Sequence, residues 1–137
     1  VDTLRKYGLK DKIKINATGK VATAFDIYKM LSLGADLCCS ARGMMISLGC
    51  IQALECDKNT CPTGVATQNE ALMGGLVIED KYQKVYNFHK NTISSFLEIM
   101  AAAGISDLDH FSRKLVFQRT NSYSSRSYAE IYPEDRK

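Results

Sequence analysis

Proline is scarce in this chain, with two in 137 residues, and 45% of the residues are hydrophobic against 24% charged. That balance excludes a Pro-rich or charge-dominated disordered chain and predicts one folded domain at most. Long apolar runs are missing as well. Nothing approaches the ~20 residues needed to cross a bilayer, and no basic-then-apolar leader with a cleavage site opens the sequence. The expectation is a cytoplasmic protein with no membrane partner. A nucleoside-triphosphate loop is also absent, because the glycine needed five positions before Gly19-Lys20 is Lys14.

Charge of one sign is nearly absent over most of the chain. The net charge is +3, but residues 112–137 hold six Lys and Arg against three Asp and Glu, leaving twelve of each for the rest. A folded nucleic-acid binder spreads a basic patch with aromatics across one face. Confinement of the excess to the tail argues against nucleic acid as a partner.

Cysteine, by contrast, is concentrated. GCIQALECDKNTCPTGVATQ, residues 49–68, carries Cys50, Cys56 and Cys61, three of the five cysteines. In a reducing compartment an odd count grouped in this way reads as a metal or redox site rather than a disulfide framework. Six residues of continuous helix would separate Cys50 from Cys56 by about 9 Å of rise. The turn-prone run Asp57-Lys58-Asn59-Thr60 and the helix-stopping Pro62 predict a loop that returns Cys61 towards Cys50. Structural zinc takes four ligands in closely spaced pairs, whereas a three-iron cluster asks for one thiolate per iron. Cluster, zinc and incidental thiols all stay open on spacing alone.

The organisation around this loop is a repeated strand and helix. In KIKINA, Ile13, Ile15 and Ala17 alternate with polar residues, and Thr18-Gly19-Lys20 turns the chain. Thr23 three residues before Asp26 is a capping-box spacing, so a helix is predicted from there, with Ala24, Ile27, Tyr28 and Leu31 on its apolar face and Gly34 at its end. ADLCCS suits a strand buried on both faces. After Ser40-Ala41-Arg42-Gly43, MMISLGCIQAL reads as a second helix. Further on, Tyr82, Val85, Tyr86, His89, Ile93, Phe96, Leu97 and Met100 mark one face of a long helix, capped near Asp80 and ended by Gly104. His89 is expected there as a packed, hydrogen-bonded histidine.

The order β-α-β-α implies α/β architecture with parallel strands, and the turns after the two strands fall where such folds bind phosphate. Gly19 and Lys20 in the first turn and Ser40, Ala41 and Arg42 in the second are the candidate phosphate-side residues. In (β/α)₈ barrels the last two such loops frequently form a phosphate site, which flavin mononucleotide would use. Two parallel strands cannot cover their own faces and edges. That shortfall, together with a start at Val1 rather than Met, leads to the expectation of an upstream segment.

ATGKV-x-T-x-FDI, SARGMM and Cys-x5-Cys-x4-Cys-Pro-x-Gly-x-Ala-Thr-Gln together resemble the flavin-binding synthase domain of the glutamate synthases, most closely its stand-alone, glutamate-synthase-like branch. The resemblance is strong from Ile13 to Gln68. It implies the C-terminal portion of a (β/α)₈ barrel, about two βα units and the cysteine loop over residues 1–68, followed by a helical extension and tail over 69–137. It implies FMN held partly by Gly19, Lys20, Ser40, Ala41 and Arg42, and a 3Fe-4S cluster on Cys50, Cys56 and Cys61. The implied reaction is reductive formation of L-glutamate from 2-oxoglutarate and glutamine-derived ammonia, through 2-iminoglutarate, with a ferredoxin or a pyridine-nucleotide-oxidising subunit as electron donor. The catalytic residues would lie in the missing barrel segment, supplied in cis or trans. A second reading is a non-catalytic electron-transfer or interaction module that retains the cluster loop.

Overall fold

The computed structural model describes residues 1–134. Its first half runs α1 (Asp2–Lys6), β1 (Asn16–Ala17), α2 (Ala24–Ser32), β2 (Leu37–Cys38) and α3 (Ala41–Ser47). β1 and β2 pair in parallel, Asn16 opposite Leu37 and Ala17 opposite Cys38, with α2 as the crossover. Pairing reaches beyond the two-residue strands: the Leu37 amide donates to the Ile15 carbonyl at 3.1 Å and the Cys39 amide to that of Ala17 at 2.8 Å. Asp36 reinforces the pair, because its carboxylate accepts from the Ile15 amide at 2.7 Å and from Lys10 Nζ at 2.8 Å. The α/β reading therefore holds in its order and strand direction.

α2 begins where its spacing predicts. Thr23 Oγ1 accepts from the Asp26 amide at 3.2 Å while the Asp26 carboxylate accepts from the Thr23 amide at 3.0 Å, so each satisfies a donor the helix leaves over. α3 departs from expectation at both ends. It starts at Ala41, because Ser40 marks the turn and its hydroxyl donates to the Val21 carbonyl at 2.7 Å. It stops at Ser47 rather than running to Leu54. Gly49 takes φ +104, which returns its amide to the Ile46 carbonyl and the Cys50 amide to that of Met45. Only glycine adopts this backbone without strain, and the paired bonds close the helix.

The second half comprises α4 (Glu70–Met73), α5 (Ile78–Ala102), β3 (Phe117–Arg119), β4 (Ser125–Ser127) and α6 (Tyr128–Ile131), with β3 and β4 an antiparallel hairpin. The core lies between α2, α5 and the tail: Ala24, Tyr28, Phe96, Met100, Ile105 and Val116 are buried together. Phe111 packs edge-on to Tyr28 at 5.3 Å and stacks on Phe96 at 6.0 Å. Burial of such side chains stabilises by about 1.5–3 kcal/mol each. The tail is also pinned to α1, since buried Arg113 donates to Asp2 at 2.6 Å and to the Tyr132 carbonyl at 2.7 Å. Part of the basic excess is thus consumed in structure.

Two burial expectations fail. α5 begins at Ile78, ahead of Asp80, and its apolar stripe divides: Phe96 and Met100 are buried, while Tyr82, Tyr86, Ile93 and Leu97 are exposed. His89 stands exposed with the second group and is not a packed histidine. The ADLCCS strand is not covered on both faces, since Leu37 is 60% exposed. No helix of the described residues is long and apolar enough to cross a membrane.

Candidate functional site

The turns that follow β1 and β2 are bound to each other by the Ser40 hydroxyl on the Val21 carbonyl. They open into a cavity of ≈ 400 Å³. Gly19, Lys20, Ala41 and Arg42, four of the five predicted phosphate-side residues, line it; Ser40 holds the turns together instead. Lys20 adopts φ +59, a left-handed conformation at the tip of its turn. The Ser40 hydroxyl donates to Val21, and the N-terminus of α3 has no side-chain cap. Among the described residues of the wall there are two cations and no carboxylate. The volume is within the range of small-molecule and cofactor sites. Two basic side chains without a carboxylate fit the phosphate end of a flavin mononucleotide.

The same cavity is walled by cysteines. Cys39, Cys50 and Cys56 line it with Gln52 and Leu54. Behind them a much tighter cavity of ≈ 10 Å³ is lined by Cys50, Cys56 and Cys61 together with Pro62 and Thr63. All five cysteines are free thiols. The chain brings the three predicted ligands to one small space, and a side-chain rung assists it: Thr60, next to Cys61, donates its hydroxyl to Glu55, next to Cys56, at 2.9 Å. Hydrogen bonds from the Thr63 hydroxyl, and then from the amides of Ala66 and Thr63, lower the Cys61 thiol to about 7. Thiolates are the ligating form, so this donor set suits iron or zinc chemistry. The trio does not close around an ion: among the described residues no three His, Cys, Asp or Glu stand close enough to hold a metal. Burial pushes the Cys38 thiol up, consistent with a place outside the group.

Gln52 and Leu54 are not legible in sequence as lining residues, because the helical apolar pattern of MMISLGCIQAL continues through them. Both have positive φ, +58 and +59, in the irregular segment that follows Gly49. The signal available was Gly49 itself, an isolated glycine that can end a helical pattern.

Residues 1–106 match the family described as the conserved region in glutamate synthase. The chain is 47% identical over 120 residues to the glutamate synthase large subunit-like protein YerD of Bacillus subtilis, covering 87% of this chain and 23% of that protein. It is 33% identical over 106 residues to the archaeal NADPH glutamate synthase of Methanocaldococcus jannaschii, covering 77% of this chain and 21% of the relative. A ferredoxin-dependent glutamate synthase of Pyropia yezoensis is 33% identical over 106 residues, with 77% and 7% covered. The chain spans under a quarter of the length of these relatives.

Proposed function

The chain belongs to the glutamate synthase family, and on that premise we propose that it is the cofactor-bearing C-terminal part of a (β/α)₈ flavin and iron-sulfur oxidoreductase. One observation carries the reading: a single cavity is walled by Gly19, Lys20, Ala41 and Arg42 on one side and by Cys50 and Cys56 on the other, with Cys61 behind them. A flavin phosphate and an iron-sulfur loop would then be neighbours. When bound, FMN supplies hydride chemistry and a 3Fe-4S cluster supplies single electrons. The net reaction is 2-oxoglutarate, ammonia, two electrons and two protons giving L-glutamate and water, with ammonia drawn from glutamine.

The residues of this chain do the holding. Lys20 and Arg42 would bind the phosphate, and the Cys50, Cys56 and Cys61 thiolates would take the irons. Groups that touch the oxoacid belong to the rest of the barrel, which also supplies the neighbours that β1 and β2 lack. Exposed Leu37 and Ile13, at 60% and 42%, support such a companion. The names of the relatives, NADPH-, NADH- and ferredoxin-dependent glutamate synthases, support a pyridine-nucleotide-oxidising subunit or a ferredoxin as electron donor. We place the protein in the cytoplasm.

FMN titration by fluorescence quenching, with iron and sulfide analysis of anaerobically prepared protein, tests this. Residues 1–137 should bind flavin weakly and make no glutamate, and the upstream barrel in cis should restore both. Cys50→Ser, Cys56→Ser and Cys61→Ser should each abolish the brown colour, whereas Cys38→Ser and Cys39→Ser keep it. Zinc without sulfide would overturn the cluster. A completed barrel that holds iron but binds no flavin would instead make this a non-catalytic electron-transfer module.

A further inference from the structure

Within the cysteine loop, Asn59 occupies the turn between Cys56 and Cys61 with φ +60. Glycine would satisfy that backbone equally well. The carboxamide adds something glycine lacks. Its Oδ1 accepts from the Gln68 amide at 2.6 Å and from Thr67 Oγ1 at 3.0 Å, and the Thr67 hydroxyl is also 2.8 Å from the Asn59 carbonyl oxygen. Thr67 Oγ1 in turn accepts from the Asn69 amide at 3.1 Å, so the clamp continues to the start of α4. The tip of the Cys56 to Cys61 turn is thereby fastened to a segment that lies beyond Cys61. Together with the Glu55 and Thr60 rung, this brackets the Cys56 to Cys61 turn from both sides.

We propose that Asn59 is a positioning residue for the iron-sulfur loop, its side-chain carbonyl clamped on Thr67 and Gln68 so that Cys56 and Cys61 are presented to one cluster. The inference rests on the cluster reading of the preceding section. Groups that orient ligands in this indirect way typically alter metal affinity about 10–100-fold when removed. Because this clamp is exposed, the lower end applies.

The test uses the full polypeptide, upstream segment included, reconstituted with iron and sulfide. Asn59→Gly keeps the left-handed backbone and the Thr67 bond to the backbone carbonyl but deletes both Oδ1 bonds; it should lose iron to a chelator about tenfold faster and give a heterogeneous paramagnetic resonance signal from the oxidised cluster. Asn59→Asp keeps both accepting positions and should restore wild-type retention, with a lowered cluster potential from the added negative charge. Thr67→Val, which takes the hydroxyl from both Asn59 oxygens and leaves the Gln68 amide on Oδ1, should also lose iron faster than wild type, and it carries the test where Asn59→Gly fails to fold. Wild-type retention and resonance in Asn59→Gly would overturn the positioning role while the cluster stands. Asn59→Asp as labile as Asn59→Gly would overturn it too. A wild type without iron and sulfide would remove the cluster reading, and this inference with it.

Discussion

Gly64 is the position where a single methyl group should do most damage to the cysteine loop. Its φ is +75, and a Cβ placed there drives into the Leu72 carbonyl oxygen and stands 3.1 Å from the Leu76 nitrogen. Backbone cannot swing aside as a side chain does. Gly75 makes the approach mutual, since a Cβ on it would be 3.0 Å from the Thr63 carbonyl oxygen. Gly64→Ala therefore carries two costs: about 1–2 kcal/mol for a left-handed L-residue, and about 1–3 kcal/mol for overpacking a close junction. Gly104→Ala isolates the first. Its φ is +70, with no atom within 4 Å of the added Cβ. Urea unfolding followed by circular dichroism, at unchanged slope, should place Gly64→Ala below Gly104→Ala by about 1–3 kcal/mol. Hydrogen exchange should locate the loss in residues 61–76. Equal midpoints for the two variants would refute the close approach.

Two further outcomes follow from the scaffold that carries the cavity. Thr23→Ala should destabilise by about 1 kcal/mol by removing one half of the α2 capping box, and Asp26→Ala by more. The Asp26 carboxylate is held well below its usual range by Lys29, 2.7 Å away, and by Thr23; thermal unfolding of both variants checks the order. Asp36 is lowered from 3.8 to about 2, first by the Ile15 amide and then by Lys10. A carboxyl depressed in the fold contributes stability that is complete above its unfolded value and is lost as pH falls through the folded one. Denaturation midpoints between pH 4 and pH 2 should thus fall less steeply in Asp36→Asn than in wild type.

Local chemistry determined a good deal of this protein. Thr23 and Asp26 specify the start of α2 because a capping box needs only its own residues, and Pro62 with the polar run before it specifies a loop for the same reason. The order of strand and helix, the turns after the two strands and the cysteine spacing were likewise legible along the chain. The end of α3 was legible in principle. Gly49 passes for one more helical position because the apolar residues after it continue the helical period, and a terminating glycine looks no different in sequence from a tolerated one.

The rest was decided by what packs against what. Tyr82, Tyr86, Ile93 and Leu97 are as apolar or aromatic as Phe96, Ile99 and Met100, and all lie on one helix. Periodicity names both; α2 and the tail cover Phe96, Ile99 and Met100, whereas the first group and His89 stay exposed. Spacing could bring the three cysteines near one another, but only the fold puts Cys50 and Cys56 on the wall shared with Lys20 and Arg42 and sets Cys61 behind them. That arrangement depends on the Ser40 bond to Val21 and on the contact of Gly64 with the backbone at Leu72. Such long-range contacts leave no periodic trace, because their energy comes from two segments meeting and from neither one alone.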